Sequence, residues 1–164
     1  MWVELPPIGI ILLNVAAIPA IQLGCAWIFT KLPEGWFDAP LPSRPPPRSS
    51  SSLFLKKWKR HLPDGASWFA GGFHKRVLMS KDARYLSRFI LETRRGEACH
   101  WTAMISCSIP FFWNPWWGCW VIGLYAVVAN LPCILLQRVN RKRLQRMLLR
   151  RNHASSADAK SARS

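Results

Sequence analysis

The chain has 164 residues, a net charge of +15 and an apolar fraction of 50% that includes ten tryptophans. This length fits one compact unit rather than two domains. A charge this positive is also found in nucleic-acid-binding proteins, but in so apolar a chain it indicates basic residues that face the anionic headgroups of a membrane. We therefore expect membrane lipids, and no nucleic acid, among its partners.

Three apolar runs, residues 7–29, 98–113 and 116–136, contain no Lys or Arg. All 23 Lys and Arg residues lie between the first and second runs or after the third. Segments rich in these residues stay on the cytoplasmic side of a membrane. The chain is therefore predicted to be an all-α, multi-pass protein of the cell membrane, with about three transmembrane helices and a cytoplasmic C-terminus.

The same pattern divides the chain into four parts. These are a first transmembrane helix (1–30), a cytosolic region with a Pro-rich linker, an interfacial basic-aromatic segment and a helix (31–97), a transmembrane helical hairpin (98–137) and a basic cytosolic tail (138–164). Three spans enclose little volume, so the sequence is compatible with an oligomer.

The first run would measure about 35 Å as a helix, which is enough to cross a hydrocarbon core of about 30 Å. It is preceded by Glu4 and by no Lys or Arg, unlike a secretory signal peptide, so we interpret it as a retained span. Residues 39–52 are rich in Pro and Ser, which disfavours a helix or a sheet interior and indicates a mobile linker.

Residues 52–76 interleave basic and aromatic side chains, a pattern typical of a segment that lies on a membrane surface. This segment is either an anchor only or a cytosolic wall of an active site. A helix is predicted to begin after Asp82, its N-cap, and to run into the second apolar run. That run, residues 98–113, would measure only about 24 Å, so the helix either enters the membrane earlier or is re-entrant.

Glu92, Glu97 and His100 form the densest polar cluster at the start of an apolar run. On a helix, Glu97 lies one turn before His100 and Glu92 two turns before it, so the three share one broad face. A carboxylate can orient an imidazole and stabilise its protonated form, as a general base needs when it removes a proton from an alcohol. We predict His100 as that base, although both carboxylates can instead simply pair with arginines of the same helix.

Asn130 is an amide inside the third run, where a polar side chain needs a partner. In an antiparallel pair of spans it lies near His100, together with Gln137 and Arg138 at the inner interface. An amide such as Asn130 can stabilise an oxyanion. These residues are therefore candidates for substrate binding.

Metal and disulfide chemistry are not favoured by the sequence. The Glu97-x-x-His100 spacing matches one helix of a carboxylate-bridged di-iron site, but that site needs a second such motif, and the other histidines lie in no such pattern. None of the five cysteines forms a CxxC pair, so there is no zinc spacing and no disulfide framework. We expect no metal.

Several short blocks occur in a fixed order: Lys57-Trp58-Lys59, Leu62, Asp64-Gly65, Glu92-Thr93, Arg95, Glu97, His100-Trp101, Tyr125, Ala129-Asn130, Pro132, Gln137-Arg138, Asn140-Arg141 and Arg143. In these blocks the chain resembles the glycosyl-4,4'-diaponeurosporenoate acyltransferases, small bacterial membrane enzymes of staphyloxanthin-type carotenoid biosynthesis. The resemblance covers residues 57–143. The Pro-rich linker departs from the family's pattern.

The resemblance implies an acyltransferase that moves a fatty acyl group to a sugar hydroxyl of a glycosylated carotenoid or related isoprenoid lipid. The donor would be an activated thioester, either acyl-CoA or acyl carrier protein, with no other cofactor. Our candidate catalytic residues are His100, Glu97 and Glu92. The candidate substrate-binding residues, taken from the matching blocks, are Asn130, Arg95, Gln137, Arg138, Asn140, Arg141, Asp64, Trp58 and Trp101.

Two other functions stay open at this point. The chain can be a non-enzymatic membrane scaffold whose basic surface binds anionic lipids or a partner protein, or a metal-dependent lipid-modifying enzyme. The HxxxxD acyltransferase motif is absent, so an acyltransferase would need another catalytic geometry.

Overall fold

The computed structural model describes residues 5–47, 80 and 82–161. These parts form three α-helices, which we call α1 (Pro7–Lys31), α2 (Ala83–Ser106) and α3 (Trp116–Ser161). Short 3₁₀ turns at Glu34–Trp36 and Ile109–Phe112 follow α1 and α2, and the described residues contain no strand. The predicted all-α class is therefore confirmed. The predicted surface segment, with Trp58 and Asp64, lies outside the described residues.

Two of the described helices, α1 and α3, are long and apolar enough to cross a membrane. α3 has 46 residues, so it is about 69 Å long, and only its first half is apolar. The run 98–113 does not form one helix, because α2 ends at Ser106 and a 3₁₀ turn follows. Whether this short run crosses the membrane stays a prediction.

α2 and α3 pack against each other as an antiparallel hairpin with two separate cores. The lower core lies beside the basic half of α3 and consists of Leu86, Phe89, Ile90, Leu144 and Leu148. The upper core lies in the apolar half and consists of Cys107, Ile122 and Ala126, packed against Ile18 and Ile21 of α1. In water each buried Leu or Phe of the lower core contributes about 1.5–3 kcal/mol. Lipid supplies no hydrophobic driving force between helices, so an upper core that lies in the bilayer is stabilised by close packing of its side chains instead.

The start of α2 agrees with the sequence. The side chain of Asp82 accepts a hydrogen bond from the backbone N–H of Arg84 at 3.1 Å, which makes Asp82 the N-cap. This cap fixes where the helix begins, and the packing of Leu86, Phe89 and Ile90 in the lower core sets the rotation of α2 about its axis. His100 is thereby placed on the face that meets α3.

The upper end of the hairpin is joined to α1 by a buried amide pair. Asn14 and Asn114 each donate from Nδ2 to the other's Oδ1 at 2.8 Å, and Trp113 Nε1 also donates to Asn14 Oδ1 at 2.8 Å. Asn114 is 4% exposed. Polar side chains in a membrane are satisfied by one another across helices, so this pair sets the position of α1 along the hairpin.

Replacing Asn14 by Leu should weaken the docking of α1. The variant loses the three hydrogen bonds between Asn14 and the turn of the hairpin. Asn114 Nδ2 keeps its bond to Pro110 O, but Asn114 Oδ1 loses its donor, and we expect a total cost of about 1–2 kcal/mol. Thermal unfolding in detergent micelles should therefore show a lower midpoint for Asn14→Leu. The matched control is Asn152→Leu, at an exposed position of α3, which should unfold like the wild type; equal midpoints for all three proteins would contradict a role for the amide pair.

Residues 32–47, which we call the strap, run from the lower end of α1 along α2. Arginines of the hairpin bind its backbone: Arg95 donates to Leu32 O at 3.2 Å, Arg94 to Ala39 O at 3.0 Å and Arg146 to Pro47 O at 3.0 Å. The described part of the Pro-rich linker has no regular structure beyond bends, as predicted. It is nevertheless fixed to both helices of the hairpin.

Candidate active site

A group of polar side chains lies between the two cores, where α2 and α3 face each other. We call it the polar seam; its members are Glu97, His100, Asn130, Arg138 and Arg141. The antiparallel arrangement places the first two, on α2, opposite the other three, on α3. The seam lies at the point where α3 changes from apolar to basic, so its position along the hairpin follows from the composition of α3.

The hydrogen bond between His100 and Asn130 determines how the imidazole is protonated. Asn130 is 1% exposed, and its Nδ2 donates to the backbone carbonyl of Ala126 at 3.0 Å. Its Oδ1 then faces Nδ1 of His100 at 3.1 Å. An amide oxygen can only accept, so Nδ1 carries the hydrogen, and the neutral imidazole has its lone pair on Nε2. This is the tautomer that a general base needs.

Glu97 binds two arginines across the hairpin. Its Oε1 accepts from Arg138 Nε at 2.5 Å and its Oε2 from Arg141 Nη2 at 2.6 Å. Burial by itself would raise the pKa of Glu97, but the hydrogen bonds and positive charges of both arginines outweigh it and hold the pKa below its ordinary value of 4.5. Glu97 is therefore ionised at neutral pH, and each of its oxygens is bonded to an arginine.

Glu92 and Arg95 form a second, more buried ion pair. Arg95 Nη1 donates to Glu92 Oε1 at 2.6 Å, and the two side chains are 11% and 5% exposed. The guanidinium of Arg95 also lies 5.3 Å from the centre of the Phe37 ring in the strap. Arg95, a predicted substrate-binding residue, is thus placed where it binds the strap, and its Nε has no hydrogen-bond partner among the described residues.

The other predicted substrate-binding residues do not all lie in the polar seam. Gln137 lies on α3 between Asn130 and Arg141, and its Oε1 is buried without a hydrogen-bond partner in the described chain. Asn140 is half-buried and Trp101 is 37% exposed, and neither is hydrogen-bonded to the seam within the described ranges. Trp58 and Asp64 are outside those ranges. Residues 5–47, 80 and 82–161 also hold no group of three or more His, Cys, Asp or Glu that could bind a metal ion.

Sequence reasoning missed two features of this region. As an alternative to catalysis, it offered same-helix arginines (Arg88, Arg94 or Arg95) as partners for both Glu92 and Glu97. Glu92 does pair with Arg95, but the partners of Glu97 are Arg138 and Arg141 of the facing helix. The three-residue spacing of these two arginines places both on one face of α3, and this was the available indication. It also did not foresee that Arg94 binds Phe37 O and Ala39 O of the strap.

Replacing Glu97 by Gln should destabilise the hairpin by about 1–3 kcal/mol at neutral pH, because it removes two charge-assisted hydrogen bonds and leaves Arg141 partly buried without a countercharge. Since the folded-state pKa of Glu97 is lowered, its contribution is fully present above pH 4.5 and is lost as the pH falls through the folded-state value. Unfolding of the wild type and Glu97→Gln, followed from pH 7 to pH 3, should give midpoints that converge on acidification. A constant difference at all pH values would contradict this account.

Comparison with known proteins agrees with the sequence pattern. A family model described as glycosyl-4,4'-diaponeurosporenoate acyltransferase matches residues 33–150. Proteins of that name from Staphylococcus aureus, among them those of strains USA300 and NCTC 8325, are 33% identical to this chain over 96 residues. The matched stretch spans 58% of this chain and 58% of each relative, and no solved structure matches.

The region that the family model matches contains the strap, all of α2 and most of α3, and so the whole polar seam. The residues of the blocks noted in the sequence from Glu92 to Arg143 also fall within it. The match covers well over half of the chain. The chain belongs to the glycosyl-4,4'-diaponeurosporenoate acyltransferase family.

Proposed function

We propose that this chain is a membrane acyltransferase that transfers a fatty acyl group from a thioester to a sugar hydroxyl of a glycosylated carotenoid or related isoprenoid lipid. Membership of the family supports the reaction type, and the name of the relatives supports the acceptor. The observation that carries the proposal is the hydrogen bond from His100 Nδ1 to Asn130 Oδ1, because it leaves Nε2 as the basic nitrogen of the imidazole.

The position of the seam suits substrates that arrive from two phases. The glycolipid resides in the bilayer, beside the apolar halves of α1 and α3, whereas a thioester carrier is polar and comes from the aqueous phase. The 23 Lys and Arg residues occur only between the first and second apolar runs or after the third. With all three runs crossing the membrane, as we propose, they would lie on one side of it, which favours the cytoplasmic face for the seam and for the C-terminus. The two substrates would then meet where hydrocarbon gives way to water.

The proposed reaction is an acyl transfer assisted by a general base. His100 Nε2 takes the proton from the acceptor hydroxyl as its oxygen attacks the thioester carbonyl, which forms a tetrahedral intermediate. The intermediate collapses by breaking the C–S bond, and the leaving thiolate receives the proton from the imidazolium. The products are a sugar ester and a free thiol, and the neutral base is restored without any further cofactor.

The geometry changes the roles proposed for the neighbouring residues. Asn130 donates to Ala126 O and accepts from His100, so we assign it to positioning the base rather than to stabilising the oxyanion. Arg138 is about half exposed and held by Glu97; its remaining N–H groups can stabilise charge on the thioester oxygen. Gln137, whose Oε1 lacks a partner among the described residues, can accept a hydrogen bond from a sugar hydroxyl.

Four predicted residues act outside the reaction in this proposal. Glu92 and Arg95 hold the strap against α2, and Arg141 neutralises Glu97. Trp101 is exposed in the apolar half of the hairpin, where an aromatic side chain suits contact with the lipid acceptor. Asn140 stays a candidate for binding at the aqueous edge.

Reconstitution tests the proposed function. The purified chain in lipid nanodiscs, supplied with the glycosylated carotenoid and either acyl-CoA or acyl carrier protein, should produce the sugar ester, identified by mass spectrometry. Failure to form the ester with both donors would overturn the proposal. The non-enzymatic scaffold would then be favoured, since exposed basic side chains such as Lys142 and Arg143 remain on α3 to bind anionic lipid.

A further inference from the structure

A groove separates the strap from the lower half of the hairpin. Its volume is about 580 Å³, and its lining comes from the strap (Gly35, Asp38, Ala39, Pro40 and Leu41), from α2 (Ser87, Ile90, Leu91 and Arg94) and from Leu148 of α3. Small-molecule sites have volumes of about 300–1,000 Å³. The groove is therefore large enough for a ligand, and it lies on the basic side of the chain, one helical turn beyond Glu97.

We infer that this groove holds the phosphopantetheine arm of the acyl thioester, an inference that rests on the proposed acyltransferase function. The arm is a narrow chain with two amides, a hydroxyl and a pair of methyl groups. Ile90, Leu91 and Leu148 offer an apolar floor to the methyl groups. The Ser87 hydroxyl and the polar side chains of Arg94 and Asp38 can bind the amides and the hydroxyl.

Positive charge lies where the phosphate end of the arm would emerge. Arg84 and Arg88 are within one turn of Ser87 on α2, and their side chains are 99% and 59% exposed. Each contacts a carboxylate only at 3.6–3.9 Å, so both can turn towards a phosphate. Arginine is well suited to phosphate because its guanidinium can bind two oxygens at once.

The length of the arm fits the distance from this rim to the base. Arg88 lies 12 residues before His100, which is about 18 Å along the axis of α2. The 13 bonds from phosphorus to sulfur, extended like a polypeptide with the same number of bonds, cover about 15 Å. Arg88 and His100 also lie about 120° apart around α2, so the arm has to pass around the helix surface as well as along it. The long side chain of Arg88 would have to reach towards the groove for the sulfur and its acyl carbon to arrive at the seam while the acyl chain enters the bilayer.

Gly35, at the edge of the groove, can take a larger side chain without disturbing the fold. A Cβ added at Gly35 meets no atom within 4 Å, so Gly35→Leu places its side chain in open space. In nanodiscs the variant should raise the KM for acyl-CoA by about tenfold or more and change kcat and the KM for the glycolipid by less than about twofold. The matched control is Gly24→Leu on α1, where an added Cβ also meets nothing within 4 Å; its donor KM should equal that of the wild type.

Comparing acyl-CoA with acyl carrier protein shows which part of the donor the groove binds. If the arm itself binds in the groove, Gly35→Leu should raise the KM for acyl-CoA and for acyl carrier protein alike. An unchanged KM for both, with normal wild-type turnover, would overturn this inference and leave the proposed function standing. An increase for acyl-CoA alone would also overturn it, since the nucleotide rather than the arm would then be the bound group.

Binding without turnover provides the second measurement. If the wild-type chain forms no ester, the proposed function fails. Equilibrium binding of fluorescently labelled coenzyme A to the chain in nanodiscs then tests separately whether the groove binds the arm. Weaker binding to Gly35→Leu than to Gly24→Leu would support the groove, and equal binding would overturn it. Should Gly35→Leu fail to fold, Leu91→Trp, on the α2 wall, replaces it with the same expected results.

Discussion

Replacing His100 by Ala should lower the rate of ester formation by about 10²–10⁴-fold, the usual contribution of a positioned general base. The hydroxyl of a sugar is a weak nucleophile, and in this variant nothing takes its proton as the C–O bond forms. Steady-state kinetics in nanodiscs, with the glycolipid and thioester at saturating concentrations, measure the effect on kcat. The side chain is only partly buried, but its removal takes a donor from the buried Asn130 Oδ1, so kcat is referred to the measured amount of folded, membrane-inserted chain.

The matched control for this variant is His153→Ala, in an exposed part of α3. It removes the same side chain from the same chain and should leave kcat unaltered. Added imidazole provides a further test: it fits the space left by His100→Ala and should restore part of the rate, with no effect on His153→Ala. Ester formation by His100→Ala at the wild-type rate would exclude His100 from the mechanism.

Asn130 should affect the rate through the imidazole that it orients. Asn130→Leu removes the acceptor that fixes the hydrogen on Nδ1, so a fraction of the imidazole adopts the unproductive tautomer or rotates away. We expect kcat to fall by about 10–100-fold, less than on loss of the base itself. Leu has a similar volume and suits an apolar half-helix, so the hairpin should remain folded.

Asn130→Asp separates positioning from packing. One carboxylate oxygen still accepts from Nδ1, which keeps the productive tautomer, while the hydrogen bond to Ala126 O is lost. Asn130→Asp should therefore retain more of kcat than Asn130→Leu when the two are measured side by side in nanodiscs. Equal losses of kcat in both variants would indicate a purely structural role for Asn130.

The long apolar helices could be predicted from composition because the physical pattern is strong. An uncharged apolar run with Lys and Arg confined to one side leaves few alternatives, and α1 at Pro7–Lys31 agrees with the predicted 7–29. The continuity of α3 was less evident. Its composition changes from apolar to basic near Gln137, but Leu, Arg, Lys and Gln are all good helix formers, so the helix runs on to Ser161.

The contact between His100 and Asn130 could be predicted from the sequence, because an antiparallel hairpin with a short turn brings the end of one helix beside the start of the next. The partners of Glu97 could not be predicted in this way. Arg94 lies three residues before it, and that spacing favours a pair on one helix, but the rotation of α2 turns Glu97 towards α3. That rotation is set by the lower core, which cannot be placed without the tertiary packing.

The strap was the least predictable feature. It has no hydrophobic period, and the arginines that bind it do so through backbone carbonyls. Every residue has a carbonyl, so such contacts leave no pattern in the sequence. The groove beside the strap was therefore not foreseen either, although it is the feature to which we now assign the donor.

The lipid extract of a host that accumulates the glycosylated carotenoid tests the central claim most directly. With this chain in its membrane, mass spectrometry should show the glycolipid heavier by one fatty acyl group, less the hydrogen that it replaces, and the same host carrying His100→Ala should show only the unmodified glycolipid. An unmodified glycolipid in the presence of folded wild-type chain and a fatty acyl thioester pool would contradict the account.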